Sequence, residues 1–222
     1  MHGLMASVFA KLKSAFRGRG GSRTKGTGSQ KISHGLSVHP DSNLEVKGTL
    51  IVGEQVSLGR FSSLIVPEDS TIVLGSRIWI SDNCHIEGVP GGSINIGSET
   101  SLQSRCQIRG EVVIGDKVLL APNVFISSGS HMYDYAPELT IREQDQKYLE
   151  DEGRSYSSPI QVGDDCWLGI NVVVMPGVSI GSRCVIGANA VVTKDIPTDT
   201  VAGGIPAKVI RTRSQKAAPS AV

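Results

Sequence analysis

His131 is the one histidine of five that stands beside a segment unlike the rest of the chain. An imidazole with an ordinary pKa of ~6.5 can take up a proton near neutrality and return it, which suits a general base. The segment that follows, about 132–159, holds all four tyrosines, Tyr133, Tyr135, Tyr148 and Tyr156. It also holds seven acids, Asp134, Glu138, Glu143, Asp145, Glu150, Asp151 and Glu152, against Arg142, Lys147 and Arg154. Aromatic faces and carboxylates suit a carbohydrate ring, giving apolar stacking and acceptors for hydroxyl protons. Tyr133 and Tyr135 are therefore candidate carbohydrate contacts, with an acidic lid that touches no sugar as the equal alternative. Asp134, three residues past the histidine, is the candidate for binding that sugar or orienting the imidazole, the latter a role a backbone carbonyl could also fill. Ser128 and Ser130 read as corner residues and not as nucleophiles. Of the other histidines, His2 falls in a tail, His34 and His39 in an irregular first coil, and His85 at a solvent-facing corner.

What must position these residues is a repeat. The pattern apolar-x-apolar-Gly ends at Gly53, Gly75, Gly97, Gly115, Gly163 and Gly181, in steps of 22, 22, 18, 48 and 18 residues. Eighteen is three hexads, with a branched apolar residue at position one and a small one at position five, as in the six residues from Ile114 and the six from Leu120. Such a period marks a β-solenoid, each hexad a short strand and a corner, three to a coil. Asn83, Asn123, Asn171, Gly177 and Asn189 suit corners with positive φ. The two 22-residue steps contain Pro67–Ser70 and Val89–Gly92, which read as bulges at a corner. The 48-residue step is one coil plus a thirty-residue insertion that begins beside His131.

Composition narrows the classes. Residues 1–31 carry seven Lys and Arg and no acid, leaving fifteen basic and twenty-one acidic residues in the rest. A mildly acidic folded part argues against nucleic-acid binding. Cys84, Cys106, Cys166 and Cys184 each fall fifth in a hexad, without CxxC spacing, and read as small core residues in a reducing cytosol; no metal site is expected. No apolar run nears the ~20 residues of a membrane span, and the N-terminal charges follow the apolar stretch instead of preceding it, unlike a signal peptide. Leu4, Val8, Leu12 and Phe16 share a helical face near Lys11, Lys13 and Arg17. That face could contact an anionic membrane surface, pack on its own assembly or stay disordered. Residues 18–30 read as a flexible linker. The expected organisation is a basic segment 1–31, a solenoid 32–203 and a C-terminal tail 204–222.

The hexads, the Gly129-Ser130-His131 run before the insertion, and the closing stretch from Val191 to Arg211 with Ala202-Gly-Gly-Ile-Pro-Ala-Lys208 together resemble the hexapeptide-repeat acyltransferases. The branch is that of the galactoside, maltose and polysaccharide O-acetyltransferases, and the resemblance spans roughly residues 32–211. It implies a left-handed parallel β-helix, a handedness that the period itself does not reveal. It implies a homotrimer with sites between neighbouring subunits, acetyl-CoA as acyl donor, and a carbohydrate acceptor deprotonated by His131. It sets Trp167 beside the pantetheine arm, Ala188, Thr193 and Lys194 along the coenzyme groove, and the backbone N–H of Ile170 near the thioester. Lys208 and Arg211 fall near the coenzyme's 3′-phosphate, Lys208 where the family has Arg. Ser101 and Arg109 stand where galactoside enzymes hold their acceptor, so galactoside and maltose are not the expected acceptors.

The expected activity is thus cytoplasmic O-acetylation of a sugar in surface-polysaccharide or lipopolysaccharide assembly, at the inner face of the membrane if the N-terminal segment binds there. A sugar N-acyltransferase on the same scaffold, or a non-catalytic trimeric scaffold, are the alternatives. A zinc enzyme like the hexapeptide-repeat carbonic anhydrases would need a further histidine past His131, and the chain has none.

Overall fold

The structure, a computed structural model, describes residues 24–26, 30–32 and 35–214. The readings of an N-terminal helix, of His2 and His34, and of the end of the tail lie outside these residues.

The hexads become strands because positions one and five point inward. Ile114, Val118, Leu120, Val124 and Ile126 are all 0–1% exposed, and the intervening side chains face outward. Full burial of one such side chain contributes roughly 1.5–3 kcal/mol, and every coil repeats it. Among the described residues the coils stack into three sheets of eight, seven and nine strands, parallel except for the last strand of the third, and these form the faces of a triangular prism. The first face includes Phe125–Ser127, the second Ile160–Val162 and the third Trp167–Leu168. This is the all-β parallel solenoid of the hexad pattern, consistent with the left-handed β-helix.

Coil length is visible in the register. Leu64 pairs with Ile86 and Ile86 with Ile108, twenty-two residues apart, whereas Ile108 pairs with Ile126, eighteen apart. The surplus lies between the first and second faces, at 67–70 and 88–92, as expected of bulges that must not disturb a ladder. The expected linker is a different matter. Thr24–Gly26 and Gln30–Ile32 pair in parallel with Leu44–Val46 and Leu50–Val52, carrying the solenoid below residue 32. An open coil edge offers unpaired N–H and C=O groups that any extended segment can satisfy, whatever its side chains. At the other end Thr200–Gly203 turns back as the antiparallel strand Lys208–Thr212, pinned by Arg213 Nη1 at 2.9 Å from Asp165 Oδ2.

Corners carry strain that the ladder holds. Asn83, Asn123, Asn171 and Asn189 have φ of 58°, 62°, 59° and 59°, and Gly177 79°. Among the described residues ten further non-glycine positions share this conformation, including Phe61, Arg77 and Lys117, whose side chains have no preference for it. The conformation aims each corner amide at the coil below, as Asn171 N donates to Pro122 O at 3.0 Å and Asn189 N to Ile170 O at 2.8 Å. The asparagines also bond to one another. Asn123 Nδ2 donates to Asn171 Oδ1 at 2.8 Å and Asn171 Nδ2 to Asn189 Oδ1 at 2.9 Å. The cysteines are buried and free, and their thiols donate to carbonyls of the adjacent coil, Cys166 to Gly181 O at 3.1 Å and Cys184 to Pro197 O at 3.0 Å. Burial pushes the Cys166 thiol up to about 12, which makes it inert at neutral pH.

Asn171 separates the two corner effects. Asn171→Gly keeps positive φ free of strain and loses only the side-chain ladder, while Asn171→Ala loses the ladder and adds a left-handed cost of about 1–2 kcal/mol. Denaturant unfolding should therefore rank wild type, Gly and Ala in falling stability; equal stability of Gly and Ala would mean the corner carries no backbone strain.

Candidate active site

The insertion interrupts the chain without interrupting the solenoid. Ile114 pairs with Val162 forty-eight residues on, and Asp116 N donates to Asp164 Oδ1 at 2.9 Å, as if the two coils were consecutive. The neck is stitched shut. Ser158 N donates to Ser128 O at 2.9 Å, Ser128 and Ser157 hydroxyls lie 2.8 Å apart, and Gly129 bridges Ser157. His131 emerges just beyond this neck, its side chain 81% exposed.

Within the insertion, residues 141–152 form one helix, α1 (Ile141–Glu152). Thr140 caps its first turn while Glu143 reaches back to Thr140 N at 2.9 Å, a capping box, and Gly153 in the left-handed conformation ends it. Gln144 seats the helix. It is 2% exposed, accepts from Ala136 N at 3.1 Å and donates to Leu139 O at 3.0 Å. One residue on, Asp145 meets the histidine. Its Oδ2 lies 2.6 Å from His131 Nδ1, and its Oδ1 accepts from Met132 N at 2.8 Å. The Met132 amide first, then the His131 ring, hold the Asp145 carboxyl below its ordinary value. A cavity of about 200 Å³ adjoins the pair, lined by Ser130, Met132, Tyr148, Ser155 and Tyr156.

Three of the tyrosines are engaged with each other. Tyr148 meets Tyr135 and Tyr156 edge to face, with ring centroids 5.2 and 6.0 Å apart. Tyr135 also donates to Asp151 Oδ2 at 2.8 Å, and that carboxylate pushes the phenol above its ordinary value. Tyr133 is 70% exposed. Of the expected acceptor contacts, Tyr133 alone presents its ring freely to solvent. Asp134 is exposed, and the imidazole contact expected of it belongs to Asp145. His85 is half-buried, not solvent-facing. Its Nδ1 lies 2.5 Å from Ser63 Oγ, set beside it by the stacking of coils, and its Nε2 lies 3.0 Å from Glu87 Oε2, two residues along the same strand.

The coenzyme candidates divide between two places. Thr193 and Lys194 are exposed at the corner from which the insertion leaves, two coils above it, since Ile126 pairs with Val174 and Val174 with Val192. Two coils correspond to roughly 10 Å. Trp167, 52% exposed, stands on the third face, and Ile170 and Ala188 stack at its far corner, where Asn189 N donates to Ile170 O. Lys208 and Arg211 lie on the terminal hairpin at the upper edge of that face, Lys208 exposed and Arg211 Nη1 donating to Thr212 O at 2.9 Å. One chain therefore brings His131, Tyr133, Thr193 and Lys194 to one corner and leaves Trp167, Ile170, Ala188, Lys208 and Arg211 on another face. A larger open notch of about 410 Å³, at Lys47–Thr49 and 68–71, marks the step where coils lengthen and holds none of these residues. Among the described residues no group of three or more His, Cys, Asp or Glu is arranged to hold a metal, and no helix is long and apolar enough to cross a membrane.

Sequence reasoning missed Asp145 and Gln144. The signal was present as Thr140-x-x-Glu143, a helix start that sets both residues on the first turns of α1.

Comparison with known proteins agrees with this architecture. Residues 159–194 match the bacterial transferase hexapeptide family (six repeats). The chain is 39% identical to a putative lipopolysaccharide biosynthesis O-acetyl transferase, WbbJ, of Escherichia coli K12 over 74% of this chain and 72% of that protein. It is 37% identical to the galactoside O-acetyltransferase of the same organism, over 62% of each chain. Among solved structures, AntD, an N-acyltransferase from Bacillus cereus, superposes with a TM-score of 0.51 over 91% of this chain and 87% of that one, at 12% identity, a likeness of fold alone. The chain belongs to the hexapeptide-repeat transferase family. It spans 42–62% of the length of several of the curated relatives it matches, which are named acetyltransferases.

The attachments of the insertion depend on charge. Glu143 is held below its ordinary 4.5 by Thr140, Asp145 below 3.8 by Met132 and His131, and Asp151 below 3.8 by Lys147 and Tyr135. Depressed carboxyl values mean stabilisation that is full above the ordinary values and is lost as pH falls through the lower folded ones. The insertion should therefore loosen below about pH 4 while the apolar solenoid stays folded. Since every tyrosine lies in the insertion, the tyrosine near-ultraviolet dichroism should fade before the far-ultraviolet β signal. Simultaneous loss would show that the insertion is not separately seated.

Proposed function

We propose that this chain is an acetyl-CoA-dependent O-acetyltransferase that modifies a sugar hydroxyl in surface-polysaccharide or lipopolysaccharide assembly. The observation that carries the reading is the His131 imidazole at the neck of the insertion, one nitrogen held by Asp145 and the rest of the ring in solvent. The relative named for lipopolysaccharide O-acetylation supports the class of acceptor.

In this mechanism His131 Nε2 removes the proton of the acceptor hydroxyl as the oxygen attacks the thioester carbonyl. The C–O bond forms, negative charge gathers on the carbonyl oxygen, and the C–S bond then breaks to release coenzyme A, which takes up the proton. The Ile170 N–H meets the developing charge. Trp167, Ala188, Thr193 and Lys194 line the pantetheine path, and Lys208 and Arg211 offer cations to the 3′-phosphate. His131 and the Trp167 face are apart in one chain, so the complete site needs a second copy, in keeping with a homotrimer whose sites lie between neighbours. Tyr133 and Asp134 then face the acceptor from the insertion.

His131→Ala should lower kcat by roughly 10²–10⁴, the scale of a lost general base, with coenzyme affinity and assembly intact. Near-normal turnover would remove His131 from the chemistry. Replacing Lys208 and Arg211 together should raise the KM for acetyl-CoA, more at low salt than at high because exposed charges are screened. Dephospho-coenzyme should feel little of it; a penalty equal for both coenzyme forms would place the 3′-phosphate elsewhere.

A further inference from the structure

Asp145 uses both carboxylate oxygens within a single dipeptide, one on the His131 ring at 2.6 Å and one on the Met132 amide at 2.8 Å. Two contacts fix the plane of the carboxylate, and with it the ring. The remainder of the insertion is built to hold Asp145 there. Gln144 anchors the first turns of α1 to 136 and 139 from a buried position, and Tyr148 fastens the middle of the helix between Tyr135 and Tyr156. The other titratable groups against the pair are the phenols of Tyr148 and Tyr156.

We propose that Asp145 is the positioning residue of the catalytic histidine, and that the insertion serves chiefly to mount it. An ionised carboxylate only accepts hydrogen bonds, so the proton of a neutral imidazole beside Asp145 Oδ2 sits on Nδ1. Nε2 is left with its lone pair outward, the form a base needs. Lifting α1 frees the ring and its tautomer, so the seating of the helix decides whether the base is ready. This inference rests on His131 being the base, but its geometry can be read without turnover.

The test compares two replacements. Asp145→Ala removes the clamp and leaves the ring to choose its tautomer. Asp145→Asn has one acceptor oxygen where two are used. With that oxygen on the Met132 amide, its NH₂ faces Nδ1 and draws the proton to Nε2, which disables the base. Asn should therefore be the worse replacement, lowering kcat by roughly 10²-fold or more, as wrong-tautomer variants of other histidine bases do, with the KM for acetyl-CoA unmoved. A merely structural Asp145 predicts the opposite order, because Asn keeps the bond to Met132. Nitrogen-15 spectra of the histidine rings, with His131→Ala to assign the signal, give an independent reading at a pH where the ring is neutral. The wild type should show a protonated Nδ1 and a bare Nε2, and Asp145→Asn the reverse. Asn milder than Ala, or a wild-type ring protonated on Nε2, overturns the proposal. If His131→Ala keeps its turnover the base assignment falls instead, and the ring spectra still decide whether Asp145 sets the tautomer.

Discussion

The whole molecule depends on one constraint, that every coil must match the backbone hydrogen bonds of the coil beneath it. Strands in a sheet lie roughly 4.8 Å apart, so a coil has no freedom to shift or tilt without losing an entire ladder. This is why the corners accept positive φ at residues such as Phe61 and Arg77 that would not adopt it alone. It is also why the polar side chains at corners become acceptors for the next coil, as Ser182 Oγ takes Asp164 N at 3.1 Å. A substitution at one corner is felt by both neighbours, and the ladders run on across the insertion even though coils below it take as many as twenty-two residues and coils above it eighteen.

The insertion exploits that rigidity. Its two ends are set side by side by strands that would be neighbours in any case, since Ile114 meets Val162 across the gap. Closing such a loop costs little further entropy, because the ladder already holds its ends together. With the neck closed by Ser128 and Ser157, the chain beyond it can pack on itself around Gln144 and the three tyrosines in edge-to-face contact. The acids and aromatics that suggest carbohydrate binding are thus largely internal structure. Asp151 bonds Tyr135 and Lys147, and Glu143 caps its own helix. A composition suited to sugars is also a composition suited to a small helical unit with a polar surface.

Legibility in the sequence follows the range of the interaction. Hexads, bulges and asparagine corners are local patterns repeated many times, so Ile114, Asn123 and Pro67 declare their places without a structure. The insertion and its histidine were legible as the interruption of that count. What pairs with His131 was not, because fourteen residues separate it from Asp145 and no repeat links them. Nearness in sequence favoured Asp134, but the capping box at Thr140 turns the chain into a helix that returns Asp145 to the histidine instead. His85 failed for a related reason. A corner position read alone looks exposed, yet the stack supplies Ser63 from the coil below. The strand Thr24–Gly26 is the same lesson at the edge, where backbone pairing needs no side-chain pattern.

The division of the candidate residues between two faces has a physical consequence for how such a scaffold can work. A prism of three flat faces is convex everywhere, and a convex surface cannot surround two reactants. The bulges and the insertion all leave at the corner between the first and second faces, so this is the only corner among the described residues that projects far from the prism. Trp167 is on the third face and is half exposed, an apolar surface that a lone chain leaves in water. Setting the projecting corner of one copy against the third face of another covers that surface and makes a cleft at the same time. Rotation about an axis parallel to the prism would repeat the contact until the ring closes. In this arrangement the rigid coils would set the distance between the proposed base and the proposed coenzyme groove, while the insertion, built on a neck and free of the ladder, could vary with the acceptor.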